Sequence, residues 1–131
     1  MWRSLTILLA VVAIMLLGCG KETEPEKVVA TTAKLYYDYL LDGRYDDYVA
    51  GIDGADSLPG SYKEQLRDNI KMFMARQRQL HKGISTFNIV NAEIDADSHT
   101  ANAFLVVNYA DSTSEQIVVP LVERGGVWRM R

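Results

Sequence analysis

Few side chains in this 131-residue chain have the type and spacing to do chemistry beyond packing. Cys19 is the one cysteine and follows directly on the apolar run Leu5 to Leu17. It has no internal disulfide partner, so its thiol is free for covalent modification. The two histidines, His81 and His99, lack the spacing of a zinc motif. Asp95-x-Asp97-x-His99 opens like a calcium loop but lacks the glycine and distal glutamate such a loop requires, and a tight β-turn explains the same residues. Gly51-Ile52-Asp53-Gly54 has no Lys-Ser/Thr after it and no strand before it, which excludes a phosphate-cradling loop. There is no nucleophile elbow and no Cys–His pair. General acid–base catalysis needs a titratable group held inside a cavity, and no Asp, Glu or His stands out for that role. Asp38, between Tyr37 and Tyr39, is the best carboxylate and is equally well explained as facing solvent. The expectation is therefore no catalytic residue, no metal and no cofactor.

The run Leu5 to Leu17 is almost wholly apolar and follows Arg3, the pattern of a signal peptide over residues 1–18. It is shorter than the roughly 20 residues a membrane-spanning helix needs. The run ends in Leu16-Leu17-Gly18-Cys19, which resembles the lipobox of bacterial lipoproteins: Leu16 fits the aliphatic position, Gly18 the small one, and Leu17 is bulkier than usual. The resemblance implies that Cys19 is lipidated with palmitate-type acyl chains and becomes the mature first residue. It also implies attachment to the bacterial cell envelope, at the outer membrane, on its periplasmic or surface face. At about 0.8 kcal/mol per buried CH₂, two or three acyl chains hold stably where one would not.

Removal of Arg3 with the leader takes the 14 basic groups to 13 against 17 acidic ones, a net charge of −4 for the mature chain. That balance argues against nucleic acid as a partner. The length from Cys19 to Arg131 is enough for one core without metal or disulfide staples. Residues 19–27 read as a polar linker. Its charges, Lys21, Glu22, Glu24 and Glu26, are loosely similar to the surface-export signals of Bacteroidetes-like lipoproteins, but their composition favours a solvated spacer.

From Glu26 the spacing of Val29, Ala33, Tyr36 and Leu40 predicts a helix, with Pro25 in its first turn and Gly43 as its left-handed stop. A short helix is expected over 45–52. A third is expected from a capping box at Ser61-Tyr62-Lys63-Glu64 to Gly83, with Tyr62, Leu66, Ile70, Phe73, Gln77 and Leu80 as the stripe lying on a sheet and Met72 pointing away. After Gly83 the period becomes two, which predicts strands over 84–95, 99–109, 114–123 and 127–130 joined by short turns as an antiparallel meander. Ala101, Ala103, Leu105, Val107 and Tyr109 share the expected core face. Pro120 argues for an edge or bulged position. Helices first and a curved four-stranded antiparallel sheet afterwards is an α+β arrangement.

That order, the Tyr-rich first helix ending near Leu41-Asp42-Gly43-Arg44-Tyr45, and the closing Arg124-Gly125-Gly126-Val127-Trp128-Arg129 resemble the NTF2-like superfamily, in particular its small DUF4878-type lipoproteins, over residues 28–131. The resemblance implies a cystatin-like cone whose sheet wraps a helix. It also implies either a noncatalytic role in binding a protein partner or small ligand, or isomerase or dehydratase chemistry in the cone pocket; dimerisation through the open sheet face follows by the same analogy. The candidate pocket residues are Tyr36, Tyr39, Phe73, Phe104, Tyr109 and Trp128, aromatics whose regular spacing fits core packing better than a pocket. Charge is segregated: residues 38–56 carry six acids against Arg44, whereas 57–82 carry six bases against Glu64 and Asp68. Lys63, Arg67, Lys71, Arg78 and Lys82 fall within about 100° of the helical wheel. This stripe is either a solvated face opposed to the acidic segment or a docking site for anionic lipid, an acidic partner or a sugar polyanion.

Overall fold

The structure is a computed structural model and describes residues 23–131. The leader 1–18 and Cys19 with its lipidation lie outside the described residues. Helix α1 (Glu24–Leu41) starts at Thr23, whose hydroxyl accepts from Glu26 N–H while the Glu26 carboxylate accepts from Thr23 N–H. This reciprocal cap begins α1 inside the segment read as linker, because a Thr-x-x-Glu box satisfies backbone donors that Glu26 alone would leave open. Gly43, at φ 72°, turns the chain out of the helix as expected.

Helix α2 (Tyr45–Ala50) is shorter than expected. Gly51 ends it because Ile52 leaves to bridge Met130, with Asp53 N–H donating to Met130 O and Met130 N–H to Gly51 O. After a 3₁₀ turn (Ala55–Ser57), α3 (Gly60–His81) begins one residue before Ser61. Pro59 occupies the cap and no side chain caps the helix, so the expected box at Ser61 does not form. Lys82 at φ 64° and Gly83 at φ 109° turn the chain into the sheet.

Strands β1 (Ile84–Asp95), β2 (Thr100–Tyr109), β3 (Ser114–Arg124) and β4 (Val127–Met130) form one antiparallel sheet in sequential order. Two register shifts in β1, at 84–86 and 89–91, curve it. On β2 the face Ala101, Ala103, Leu105 and Val107 is buried as expected. At one end of the sheet these alanines and Ala92 let Val29, Ala30 and Ala33 of α1 close onto the strands. At the other end larger side chains, Leu40, Met74, Phe87 and Val107, meet in a second cluster.

Helix α3 departs from expectation. Met74 and Gln77 form its buried side, with Leu66 and Ile70 half-buried, while Phe73 is 48% and Leu80 64% exposed. The helix is turned by roughly 60° relative to the expected stripe, which leaves Tyr62, Phe73 and Leu80 along one flank. Met72 points to solvent as expected.

Candidate functional site

The turn of α3 opens a cleft. Phe73, Gln77 and Leu80 of the helix form one wall, Tyr37 of α1 closes the back, and the floor crosses the sheet through Phe87, Val107 and Ile117. This hollow holds about 510 Å³. A second hollow of about 370 Å³, bounded by Leu40, Tyr48, Ile52, Leu66 and Ile70, shares Tyr37 and Phe73 with it. The two make one apolar trough along α3. Its back is closely packed: Tyr37 lies edge-on against both Tyr48 and Phe87, with ring centroids 5.7 and 5.2 Å away. Burial holds the phenols of Tyr37 and Tyr48 above their usual range, so both stay neutral in the physiological range.

Gln77 is the exception in the apolar wall. It is 9% exposed, and its side-chain amide makes no hydrogen bond among the described residues. It is absent from the sealed, unbonded polar atoms as well, so its amide opens into the cleft it lines.

The rim at the Leu80 end is polar. His81, from the last turn of α3, places Nδ1 3.0 Å from Asp111 Oδ2 in the β2–β3 turn. The His81 ring stacks on Tyr109 at 4.0 Å, and the Tyr109 hydroxyl donates to Glu115 Oε2 at 2.9 Å. Asp111 also accepts from the hydroxyl and the backbone N–H of Thr113. The Thr113 hydroxyl first, then its N–H and His81, hold the Asp111 carboxyl down at about 2. Burial and then Glu115 raise the Tyr109 phenol. An ionised Asp111 at Nδ1 favours the proton on that nitrogen and leaves Nε2 as the acceptor of the neutral ring.

Of the six expected pocket residues, Phe73 and Tyr109 line the cleft. Tyr36 packs on Gly51 instead and donates to Trp128 O at 2.6 Å. A Cβ on Gly51 would stand 2.5 Å from the Tyr36 ring, so that glycine makes room for it. Trp128 packs against the alanine-lined core. Tyr39 lies under the Arg44 guanidinium, 4.6 Å from its ring centroid. Phe104 is on the opposite face of β2 from the core, between Asn91 and Val118. These four are therefore outside the cleft, and the reason is alternation: helix and strand periods send them to other faces.

In the basic stripe Arg67 Nε lies 2.9 Å from Asp46 Oδ1, across the α2–α3 contact, without the direction of a hydrogen bond. Lys71, Arg78 and Lys82 are exposed, on the flank of α3 away from the cleft, and Lys63 is half-buried. Asp38 pairs with Lys34 at 2.7 Å. The Asp95–His99 segment is a turn, with Asp97 N–H donating to Asp95 Oδ1. Among the described residues no three His, Cys, Asp or Glu side chains converge as a metal site, and no helix is long and apolar enough to cross a membrane. The sequence reading missed Gln77 as a polar group and the His81–Asp111 pair. The latter had one signal, Asp111-x-Thr113, which forms a side-chain-bonded turn.

No family model matches the chain, and no curated protein matches it. A crystal structure of a Campylobacter jejuni protein, provisionally described as an NTF2-like transpeptidase, superposes with a TM-score of 0.60 over 82% of this chain and 97% of that one, at 15% identity. At that identity the likeness speaks for architecture alone. Helices packed on a four-stranded antiparallel meander, superposing on that structure over nearly its whole length, give this chain the NTF2-like fold.

Proposed function

We propose that the chain is a membrane-anchored cell-envelope lipoprotein, tethered through acylated Cys19, whose noncatalytic NTF2-like domain binds a protein partner or small ligand in the α3 cleft. The observation that carries the binding half is an open apolar trough of ligand size with one unpartnered amide, Gln77, in its wall. What supports the anchor is the Leu16-Leu17-Gly18-Cys19 motif. The exposed cations Lys71, Arg78 and Lys82 support contact with an anionic surface beside it. The neighbour's transpeptidase description is not carried over, because Cys19 is the only cysteine and no serine among the described residues hydrogen-bonds a histidine.

The test has two arms. Mass spectrometry of the protein from native membranes is expected to find Cys19 as the acylated first residue, and an unmodified thiol overturns the anchor. Titration with N-phenyl-1-naphthylamine, a neutral apolar fluorophore, is expected to show saturable binding that Ile117→Trp, which fills the cleft floor, removes. Absent binding, or binding untouched by Ile117→Trp, overturns the cleft.

A second reading, isomerase- or dehydratase-type proton transfer on a small molecule, is favoured by one observation: His81, oriented by Asp111 and stacked on Tyr109, lines the same cleft. Deuterium uptake from solvent at the α-carbon of a small apolar ketone, abolished in His81→Gln, supports it; uptake unaltered in that variant contradicts it.

A further inference from the structure

The cleft opens at a sheet edge that no other strand among the described residues covers. Strand β4 pairs with β3 only from Leu121 to Arg124, and one more bond follows, from Arg131 N–H to Pro120 O. That bond fixes which way the β3 backbone faces. Pro120 directs its carbonyl to the β4 side, whereas Glu123, whose N–H donates to His99 O, faces β2. Backbone direction alternates along a strand, so Gln116 and Val118 present N–H and C=O outward on the β4 side. No backbone group among the described residues pairs with them there. Pro120 itself needs no donor on this side, which places it where β4 gives out.

The edge carries one charge, Glu115, and otherwise few of the usual protections. Between Ser114 and Val119 there is no proline and no lysine, and Val118 is half-exposed. Glu115, Ile117 and Val118 of this stretch line the cleft. An unpaired run of N–H and C=O groups beside an apolar trough is the arrangement that takes up an extended strand: the backbone bonds the edge and alternate side chains enter the trough. The ends of the run are charged oppositely. Asp111 and Glu115 lie at the Ser114 end, and Arg131 lies at the Pro120 end. Gln77, nine-tenths buried with an unpartnered amide, supplies one hydrogen-bonding group inside the trough.

We propose that β3 residues 114–119 are a strand-addition site, and that the occupant is an extended peptide with alternating apolar residues, an acidic group near Arg131 and a basic one near Glu115. This rests on the reading of the cleft as a binding site and names its ligand class. An incoming antiparallel strand bonds Gln116 and Val118 from the residues opposite them, whose side chains lie on the outer face, while the intervening residues face the cleft.

The probe is a fluorescein-labelled heptapeptide, Asp-Val-Thr-Val-Thr-Val-Lys, followed by polarisation against the full chain carrying Cys19→Ser. Saturable binding is expected. Gln116→Pro removes one edge donor at a position equivalent to native Pro120 and should weaken binding about tenfold or more. Methylating the threonine amides of the peptide should abolish binding, and methylating the valine amides, which point away from β3, should not. Should Gln116→Pro fail to fold, the methylated peptides on the unaltered domain decide the matter. Binding indifferent to Gln116→Pro and to threonine methylation overturns the proposal. A dimer dissolved by Gln116→Pro also overturns it, since the edge then belongs to a second copy. If the heptapeptide does not bind while the naphthylamine does, strand addition falls and the cleft stands; if neither binds, both fall.

Discussion

The two ends of the sheet are packed on opposite principles. At one end Ala92, Ala101 and Ala103 meet Val29, Ala30 and Ala33, and the helix lies so close that nothing is left between it and the strands. At the other, Leu40, Met74, Phe87 and Val107 meet between the helices and the sheet, and beside them Phe73 and Leu80 flank an open trough. Small residues make a closed joint because the backbones approach; large ones prop the layers apart, and the gap needs something else to fill it. Stability therefore belongs to the first end, and the binding proposed above falls to the second.

The largest expected effect comes from breaking the closed end. Leu121→Ala, at a fully buried position there, should cost about 2–5 kcal/mol in urea unfolding. Loss below about 1 kcal/mol would mean that this end is not the core. Next is Gly51→Ala, which drives a methyl into the Tyr36 ring and should cost about 1–3 kcal/mol. Phe73→Ser, at the open end, should move stability by only about 0.5 kcal/mol while removing naphthylamine binding. A large stability loss there would erase the contrast between the ends. Smallest is the acid limb. Asp111 has its pKa depressed in the folded state, so its contribution is present above the ordinary carboxylate value near 4 and is lost as pH falls towards about 2. Asp111→Asn should flatten stability across that window and lower it by a constant amount at pH 7 to 8.

Much of this architecture was written in local pattern. Period-two alternation from Ile84 onward predicted all four strands, each to within a residue at its ends, because side chains alternate between the two faces of the sheet. The cleft was harder to read. Tyr62, Phe73 and Leu80 have the spacing of a packed stripe, and only the position of α3 against α1 and β1 shows that Met74 takes the contact instead. His81 and Asp111 are 30 residues apart and meet because the β1–β2 hairpin returns the chain to its starting end, where Asp111 N–H also donates to His81 O. Tyr36 and Trp128 are two of the six residues expected in a pocket, and neither lines the α3 cleft. They join each other through Tyr36 OH and Trp128 O in the closed end, a contact across 92 positions that no periodicity encodes.

Amide and side-chain NMR shifts of the domain titrated with N-phenyl-1-naphthylamine test the division of labour most directly. The account predicts perturbations at Phe73, Leu80, Val107 and Ile117 and at the Gln77 side-chain amide, with Val29, Ala33 and Ala103 unmoved. Shifts gathered at the alanine-lined end, or along Lys71, Arg78 and Lys82, would contradict it.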